Sequence, residues 1–403
     1  MSLLDSLRRF PLAKDLSFSS DEYARRLREV RASMSAEGLS ALVVSNAANL
    51  CWITGYDTVM PSGPSTAIVT ADDIVVVCPD LEVSCFLLHT TVENYRLESW
   101  QSGDAFGGIL ASALAEVIGP RDRVGLELSK VDAYAGPALE ASTYLSLAQQ
   151  FPDVTWVDVP LLISTLRLVK SDEEIAAMRV AGEYTHAGMR AALDAIGAGA
   201  TENDVLAACY EGTIAAGSEV MPIDPMIVAG DRGGYMPFLP YRNAVLQEGD
   251  CVYLESSGAH RRYSAPLMRT ASVGEPTEAT RLLADLATEV VDTLMATIRP
   301  GRTGGDIAQD GLRVLKDLAS DTYFPGTFGY ACGLGVQPTW TEAPFYLAEG
   351  SENVVLEQMT IHLPICLWSP RERVGVGMSE TILVTAQGTE LITPGHDRGL
   401  VIR

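Results

Sequence analysis

The sequence predicts an α/β domain followed by an α+β domain that is duplicated within itself. Helical and strand patterns alternate through residues 1–165, which is the order of a layered α/β domain of ordinary length. From 166 to 403 two successive stretches each run helices first and strands after them, as an internal pseudo-duplication would. The 403 residues suffice for two buried cores, and 47% hydrophobic with 20% charged residues is the composition of an ordinary globular protein.

In the first domain, Ser19-Ser20-Asp21-Glu22 has capping-box spacing and opens a helix through Ser35 that closes near Gly38. Ala41 to Ser45 reads as a buried strand. Thr66 to Thr70 and Ile74 to Cys78 read as a strand pair turning at Ala71-Asp72-Asp73. Helices are expected over Asp80 to His89, Ala105 to Ile118 and Gly136 to Gln150, with strands over Arg123 to Leu128 and Val154 to Val159. Asn49 to Asp57 lies between elements, with Trp52 in the core. Tyr56 follows a glycine there, and two readings stand: a core side chain like Trp52, or a loop side chain that reaches a ligand.

In the second domain, Ser171 and Glu174 form another capping box on a helix that runs to about Ile196, and Thr201-Glu202-Asn203-Asp204 starts the next, through Ala215. His186, inside the first of these, reads as structural. Met226 to Gly230 is a short strand, followed by a loop from Asp231 to Pro240. Helices over Thr277 to Ile298 and Gly305 to Leu318 precede a Thr327 to Gly335 segment and strands over Met359 to Leu367 and Met378 to Thr385.

A net charge of −23 argues against a nucleic-acid partner, which selects a basic surface. The cysteines are odd in number, scattered and without CxxC spacing, so they read as reduced thiols of a cytoplasmic protein. No apolar run approaches a membrane span, and no secretory leader pattern is present.

The chemistry is expected between Asp250 and Thr270. If Cys251 to Gly258 is a strand, Tyr253, Glu255 and Ser257 share one face. The chain then turns through Arg261-Arg262 and returns through Tyr263, giving a hairpin with one acid inside. Pro266 cannot donate a ladder hydrogen bond and marks an edge or bulge in the return. Either Glu255 is the reactive acid, or it is solvated or paired with Arg269.

Several landmarks together resemble the creatinase, prolidase and methionine aminopeptidase superfamily: Lys170-Ser171-Asp172-Glu173-Glu174-Ile175, Gly249-Asp250, Arg269-Thr270, Thr327-Phe328-Gly329-Tyr330 and Glu380-Thr381-Ile382-Leu383-Val384-Thr385. The resemblance implies a creatinase-type α/β domain over 1–165 and a pita-bread α+β C-terminal domain with internal pseudo-duplication over 166–403. Peptidases of the superfamily hold two metal ions on five side chains. Their positions fall here on Glu255, Pro266, Cys332 and near Pro364 and Ser379, a set that implies no bound metal and no other cofactor. The Tyr253 to Thr270 segment is most similar to the metal-free branch of ectoine hydrolase and creatinase, where the hairpin glutamate is the nucleophile. Two histidines of that branch are Phe238 and Ser264 here, which removes imidazoles suited to proton transfer near neutral pH.

The resemblance therefore implies a hydrolase of a non-peptide C–N bond in a small cyclic amidine, ureide or guanidino compound. Glu255 would act as nucleophile or base for water. Glu380 is either a second carboxylate or the partner of Arg269, and Tyr263 completes the expected catalytic set. Arg262 and Arg269 are candidate clamps for the substrate. Phe238 and Tyr235 are expected to form an apolar lip, with Cys332, Trp340, Glu342 and Tyr56 around the substrate. Cys332 reads as a small packed thiol, because no histidine is placed to activate it. A silent ligand-binding protein, and a lyase or isomerase using Glu255 to move a proton, are the alternatives. A homodimer is the superfamily's usual assembly.

Overall fold

Capped helices and short apolar strands build two units, Met1–Arg167 and Leu168–Arg403. The computed structural model describes residues 3–98, 106–129, 139–393 and 398–403. In the first unit α1 (Leu3–Arg9) precedes α2 (Ser20–Ala36), whose start is fixed by the Glu22 N–H donating to the Ser19 hydroxyl. Next come β1 (Ala41–Val44) and α3 (Ala47–Thr54). Then follow β2 (Thr66–Thr70), β3 (Ile74–Pro79), α4 (Val83–His89), β4 (Tyr95–Glu98), α5 (Phe106–Ala115), β5 (Arg123–Leu126), α6 (Ala141–Gln150), β6 (Thr155–Asp158) and α7 (Leu162–Leu166). The six strands form one mixed sheet in the order β4-β3-β2-β1-β5-β6.

The α3 helix replaces the irregular segment expected after Asn49. Its first turn is satisfied by Asn46, whose side chain takes the Asn49 N–H, and by Glu127, which takes the N–H groups of Ser45 and Asn46 at 2.7 Å each. Gly55, at φ +87°, ends it in a conformation that other residues avoid. The capping carboxylate comes from beyond β5, so local spacing carries no trace of it. Of the helices expected further on, Ala105 and Gly136 to Ala138 lie outside the described residues, and α6 begins only at Ala141.

The second unit opens with α8 (Asp172–Asp194) and α9 (Glu202–Ala215), both started by complete capping boxes. They cover a four-stranded sheet, β19-β11-β8-β7, made from β7 (Met226–Ala229), β8 (Cys251–Ser256), β11 (Leu267–Ser272) and β19 (Val401–Ile402). Met189 and Val205 of the helices pack on Ile227, Val252 and Leu254. Between β8 and β11 the chain makes a smaller excursion, β9 (Ala259–His260) and β10 (Tyr263–Ser264), with Arg261 and Arg262 at positive φ in its turn. That excursion joins the second sheet, where Tyr263 pairs with Leu334.

The second half repeats the order with α10 (Glu278–Thr297) and α11 (Gly304–Val314), then β12 (Thr327–Val336), β13 (Thr339–Ala348), β14 (Thr360–His362), β15 (Ile365–Ser369), β16 (Val374–Met378), β17 (Thr381–Thr385) and β18 (Gly388–Leu391). Leu283, Val290 and Ile307 pack on Ile361, Val376 and Ile382 in the largest core. Two strands expected to be continuous are each broken. The Met359 to Leu367 run parts at Leu363-Pro364, where proline removes a ladder donor. The Met378 to Thr385 run parts at Ser379-Glu380. The breaks meet: the Leu363 N–H donates to the Glu380 carbonyl at 2.9 Å. Trp340 and Glu342, expected on a loop, lie on β13.

A buried ion pair fixes the start of this unit to β13. Lys170 Nζ lies 2.6 Å from Glu342 Oε2 and also donates to the Leu168 carbonyl, while Glu342 accepts the Leu334 N–H. Removing one partner strands a charge away from water, so Lys170→Met is expected to lose about 3–5 kcal/mol of stability in denaturant titration. Lys170→Met with Glu342→Leu is expected to recover most of it; a double variant no more stable than the single would disprove this role for the pair.

Candidate active site

Antiparallel pairing sets Glu255 of β8 directly opposite Met268 of β11 and Met226 of β7, so the three side chains share a face. Tyr253, two positions back, shares it as well, and its hydroxyl donates to Glu255 Oε2 at 2.6 Å. Tyr253 is fully buried and Glu255 is 4% exposed. Burial pushes the Glu255 carboxyl up to about 7, against the opposing pull of the Tyr253 hydrogen bond. The tyrosine ring is held against a bare strand: a Cβ on Gly377 would stand 2.3 Å from its Cε2. Cys366 Sγ lies 3.7 Å from Met268 Sδ on the same cluster.

Among the described residues no cation meets this acid, and a phenol is its hydrogen-bond partner. Arg269 follows Met268 and so points to the opposite side of β11. There its guanidinium meets Glu380 Oε1 at 2.8 Å and the carbonyls of Met268 and Ser379 at 2.8 Å each. The other Glu380 oxygen accepts from Thr393. Of the two readings of Glu380, the structure gives the partner of Arg269. The solvated and Arg269-paired readings of Glu255 are both overturned.

Where the two strand breaks meet, a second polar group assembles. His362 ends β14 and is fully buried; its Nδ1 lies 2.9 Å from Tyr330 Oη and its Nε2 2.7 Å from Ser379 Oγ. Trp340 Nε1 donates to Tyr330 Oη at 3.0 Å, and the Met268 N–H donates to Ser379 Oγ at 2.7 Å. Burial pulls the His362 imidazole down to about 3, so it is neutral at physiological pH. Tyr330 is raised above its usual range by burial and further by the Glu255 carboxylate. Sequence reasoning missed His362, Tyr330 and Ser379 as one group. The available signal was an ionisable residue inside the apolar Met359 to Leu367 run.

Several predicted site residues stand elsewhere. The Tyr263 hydroxyl is bonded to Glu174 in the first turn of α8, not to Glu255. Arg262 is buried at the excursion turn, where its carbonyl accepts the Gly335 N–H at 2.8 Å. Tyr235 is 75% exposed, while Phe238 meets Trp368 edge-to-face. Glu342 is the interior partner of Lys170, and Cys332 is a buried thiol that burial pushes up to about 12. Tyr56 is buried in the first unit, stacked on Phe86 at 4.1 Å with its hydroxyl on Glu82 and Ser65, so the ligand-reaching reading loses its exposed hydroxyl. Of the residues expected to wall the pocket, Trp340 joins the His362 group.

A cavity of about 550 Å³ is walled by Met226, Phe238, Pro222, Tyr241 and Pro338. Met226 and Phe238 also pack on Tyr253, Met268 and Cys366, and Met226 is paired with Glu255 across β7 and β8, so two residues of the cavity wall touch the apolar surroundings of the acid. A divalent pair would want several carboxylate or imidazole donors. Glu255 has instead a phenol as its partner, with the Cys366 thiol beside that phenol, and the His362 imidazole is already bonded at both nitrogens. Among the described residues no three His, Cys, Asp or Glu side chains are grouped to hold an ion. The donor set does not fit a dinuclear centre.

Residues 176–386 match the family model for metallopeptidase family M24, and residues 26–169 match the creatinase/prolidase N-terminal domain. The chain is 27% identical over 400 residues to an ectoine hydrolase of Halomonas elongata, covering 94% of this chain and 96% of that one. It is also 27% identical over 400 residues to an uncharacterized hydrolase/peptidase, y4tM, of Sinorhizobium fredii, covering 96% and 99%. A prolidase from Thermococcus sibiricus superposes with a TM-score of 0.82 at 17% identity, covering 96% of this chain and all of that one, which shows a shared fold.

The raised Glu255 carboxyl has a signature in stability. Its contribution is fully present below the ordinary carboxyl value and is lost as pH rises through about 7, because the unfolded chain ionises first. Glu255→Gln is therefore expected to be more stable than the parent near pH 8, by about 3 kcal/mol. Near pH 4 the two should match. Denaturant titrations at both pH values check this; an equal difference at both would refute the burial of an uncompensated acid.

Proposed function

The chain belongs to metallopeptidase family M24, with a creatinase/prolidase N-terminal domain before its pita-bread domain, and we propose that it is a metal-independent hydrolase of a non-peptide C–N bond. The substrate class is a small cyclic amidine or a related ureide or guanidino compound. The observation that carries this reading is Glu255, buried with a phenol as its hydrogen-bond partner and paired across the sheet with Met226, a residue of the cavity wall. Such an acid titrates near the operating pH, as a general base or a carboxylate nucleophile requires. The similarity to an ectoine hydrolase over most of both chains supports the substrate class. Phe238 and Ser264, standing where the metal-free relatives are expected to carry histidines, argue for a substrate other than ectoine or creatine.

In the base form of the reaction, ionised Glu255 takes a proton from water as the water oxygen bonds to the electron-poor carbon. The C–N bond then breaks and the proton passes to the departing nitrogen. In the nucleophile form, the carboxylate oxygen bonds to that carbon of the protonated amidine, the C–N bond breaks and the nitrogen leaves as an amine with a proton from solvent, and water then cleaves the resulting ester to release product and restore the carboxylate. Either way one water is added, which separates hydrolysis from elimination or isomerisation by product mass. The reading includes a homodimer in the cytoplasm, in keeping with cysteines that are all free in the structure.

Glu255→Gln is expected to lower kcat on a cyclic amidine by about 10²–10⁴-fold, with chelator leaving the parent unchanged. Because the ionised carboxylate is the working form, kcat/KM of the parent should rise as pH increases through about 7. A rate that falls across that range, or activity that disappears with chelator and returns with a divalent ion, would overturn the reading. Single turnover in ¹⁸O-water separates the two forms: label enters the Glu255 carboxyl only if it is the nucleophile.

A further inference from the structure

We propose, resting on the hydrolase reading, that the Tyr330 hydroxyl is the hydrogen-bond donor to the substrate atom on which electron density builds, and that His362 is the residue that aims it. Four side chains form a line whose protons can be counted. Trp340 Nε1–H and the Met268 N–H are fixed donors at its two ends, one into Tyr330 Oη at 3.0 Å and the other into Ser379 Oγ at 2.7 Å. Between them His362 bridges the two hydroxyls, 2.9 Å from one and 2.7 Å from the other. A neutral imidazole has one N–H, so each of its nitrogens has a single role. Its two contacts use two of the protons held by Tyr330, His362 and Ser379, and one hydroxyl proton is left over.

The tautomer decides which hydroxyl keeps the surplus. If Nε2 carries the proton, Ser379 Oγ receives two donors and its own O–H needs another acceptor. Ser379 is fully buried, and among the described residues its hydroxyl has no further acceptor, so a buried donor would go unmet. If Nδ1 carries the proton, Ser379 donates to Nε2 and is satisfied. Tyr330 Oη then accepts from both Trp340 and His362, and its O–H points away from them. As a residue Tyr330 retains some exposure where Ser379 has none, so the surplus proton costs less on the phenol than on the serine. The structure favours the second arrangement.

Two N–H groups aimed into one phenol oxygen polarise its O–H and stabilise the oxygen as it gives up hydrogen-bond charge. The line ends on the Met268 N–H, and Met268 stands directly opposite Glu255, which places the phenol three hydrogen bonds from the strand pair that carries the acid. Glu255 attacks or primes attack at carbon, and Tyr330 meets the nitrogen or oxygen that becomes electron-rich. This supplies a polar donor in a site that lacks the two family imidazoles.

The tautomer is readable without substrate from the ¹⁵N shifts of His362 in the intact protein, against His362→Gln as the assignment control; Nδ1–H is expected. With a 2-methyl cyclic amidine as probe, Tyr330→Phe is expected to lower kcat by about 10²–10³-fold with KM nearly unchanged. His362→Leu should fall similarly, and His362→Gln, whose amide N–H can replace Nδ1–H, should recover part of the loss. An Nε2–H tautomer overturns the proposal, as does a fully active Tyr330→Phe where Glu255→Gln is dead. If the parent turns over no amidine, the hydrolase reading fails instead. The tautomer then still decides whether His362 aims Tyr330 outward, and an unchanged amidine affinity in Tyr330→Phe would reject the contact.

Discussion

One division of charge governs the second unit: Arg269 and Glu380 take each other, and among the described residues Glu255 is left without a cation. The division follows from strand alternation. Met268 and Arg269 are neighbours on β11, so one faces Glu255 and the other faces away. Placed on the face of Glu255, an arginine would hold the carboxylate ionised and quiet. Placed where it is, it ties the Ser379-Glu380 break to the sheet through two carbonyls and a carboxylate. The same residue thereby leaves Glu255 to the Tyr253 phenol and ties the Ser379-Glu380 break to β11.

The candidate site sits where regular structure stops. Leu363-Pro364 and Ser379-Glu380 interrupt strands that composition alone would run straight through, and the interruptions bond to each other. His362 and Ser379 are the last side chains before and within those breaks. Their hydrogen bonds hold the chain while it passes from one sheet to another. Polar atoms that would be costly in a continuous apolar strand become the means of closing the gap.

Much of the architecture is legible in the sequence, because capping boxes and apolar runs are local signals. Ser171 with Glu174 and Thr201 with Asp204 mark helix starts that the structure reproduces. The face shared by Tyr253 and Glu255 follows from alternation in the same way. What stays hidden is set at a distance. Glu127 caps α3 from beyond β5, and Glu342 is claimed by Lys170 across the unit. Tyr263 and Tyr56 carry hydroxyls that looked available and are engaged by Glu174 and Glu82. His362 reads as an oddity in an apolar run until three strands bring Tyr330, Trp340 and Ser379 to it.

Gly377 leaves room for the ring of Tyr253 and for nothing else, since even a methyl would overlap it. The floor of the site is therefore closed to gradual change: drift at 377 displaces the phenol, and drift at 253 opens a hole against a backbone that cannot fill it. In the cavity wall Pro222 is interlocked in the same way, since a Cβ on Gly335 would stand 2.8 Å from its Cγ, while Met226, Phe238 and Tyr241 face no such glycine among the described residues. Those three side chains can therefore be exchanged one at a time, whereas positions 253 and 377 must change together.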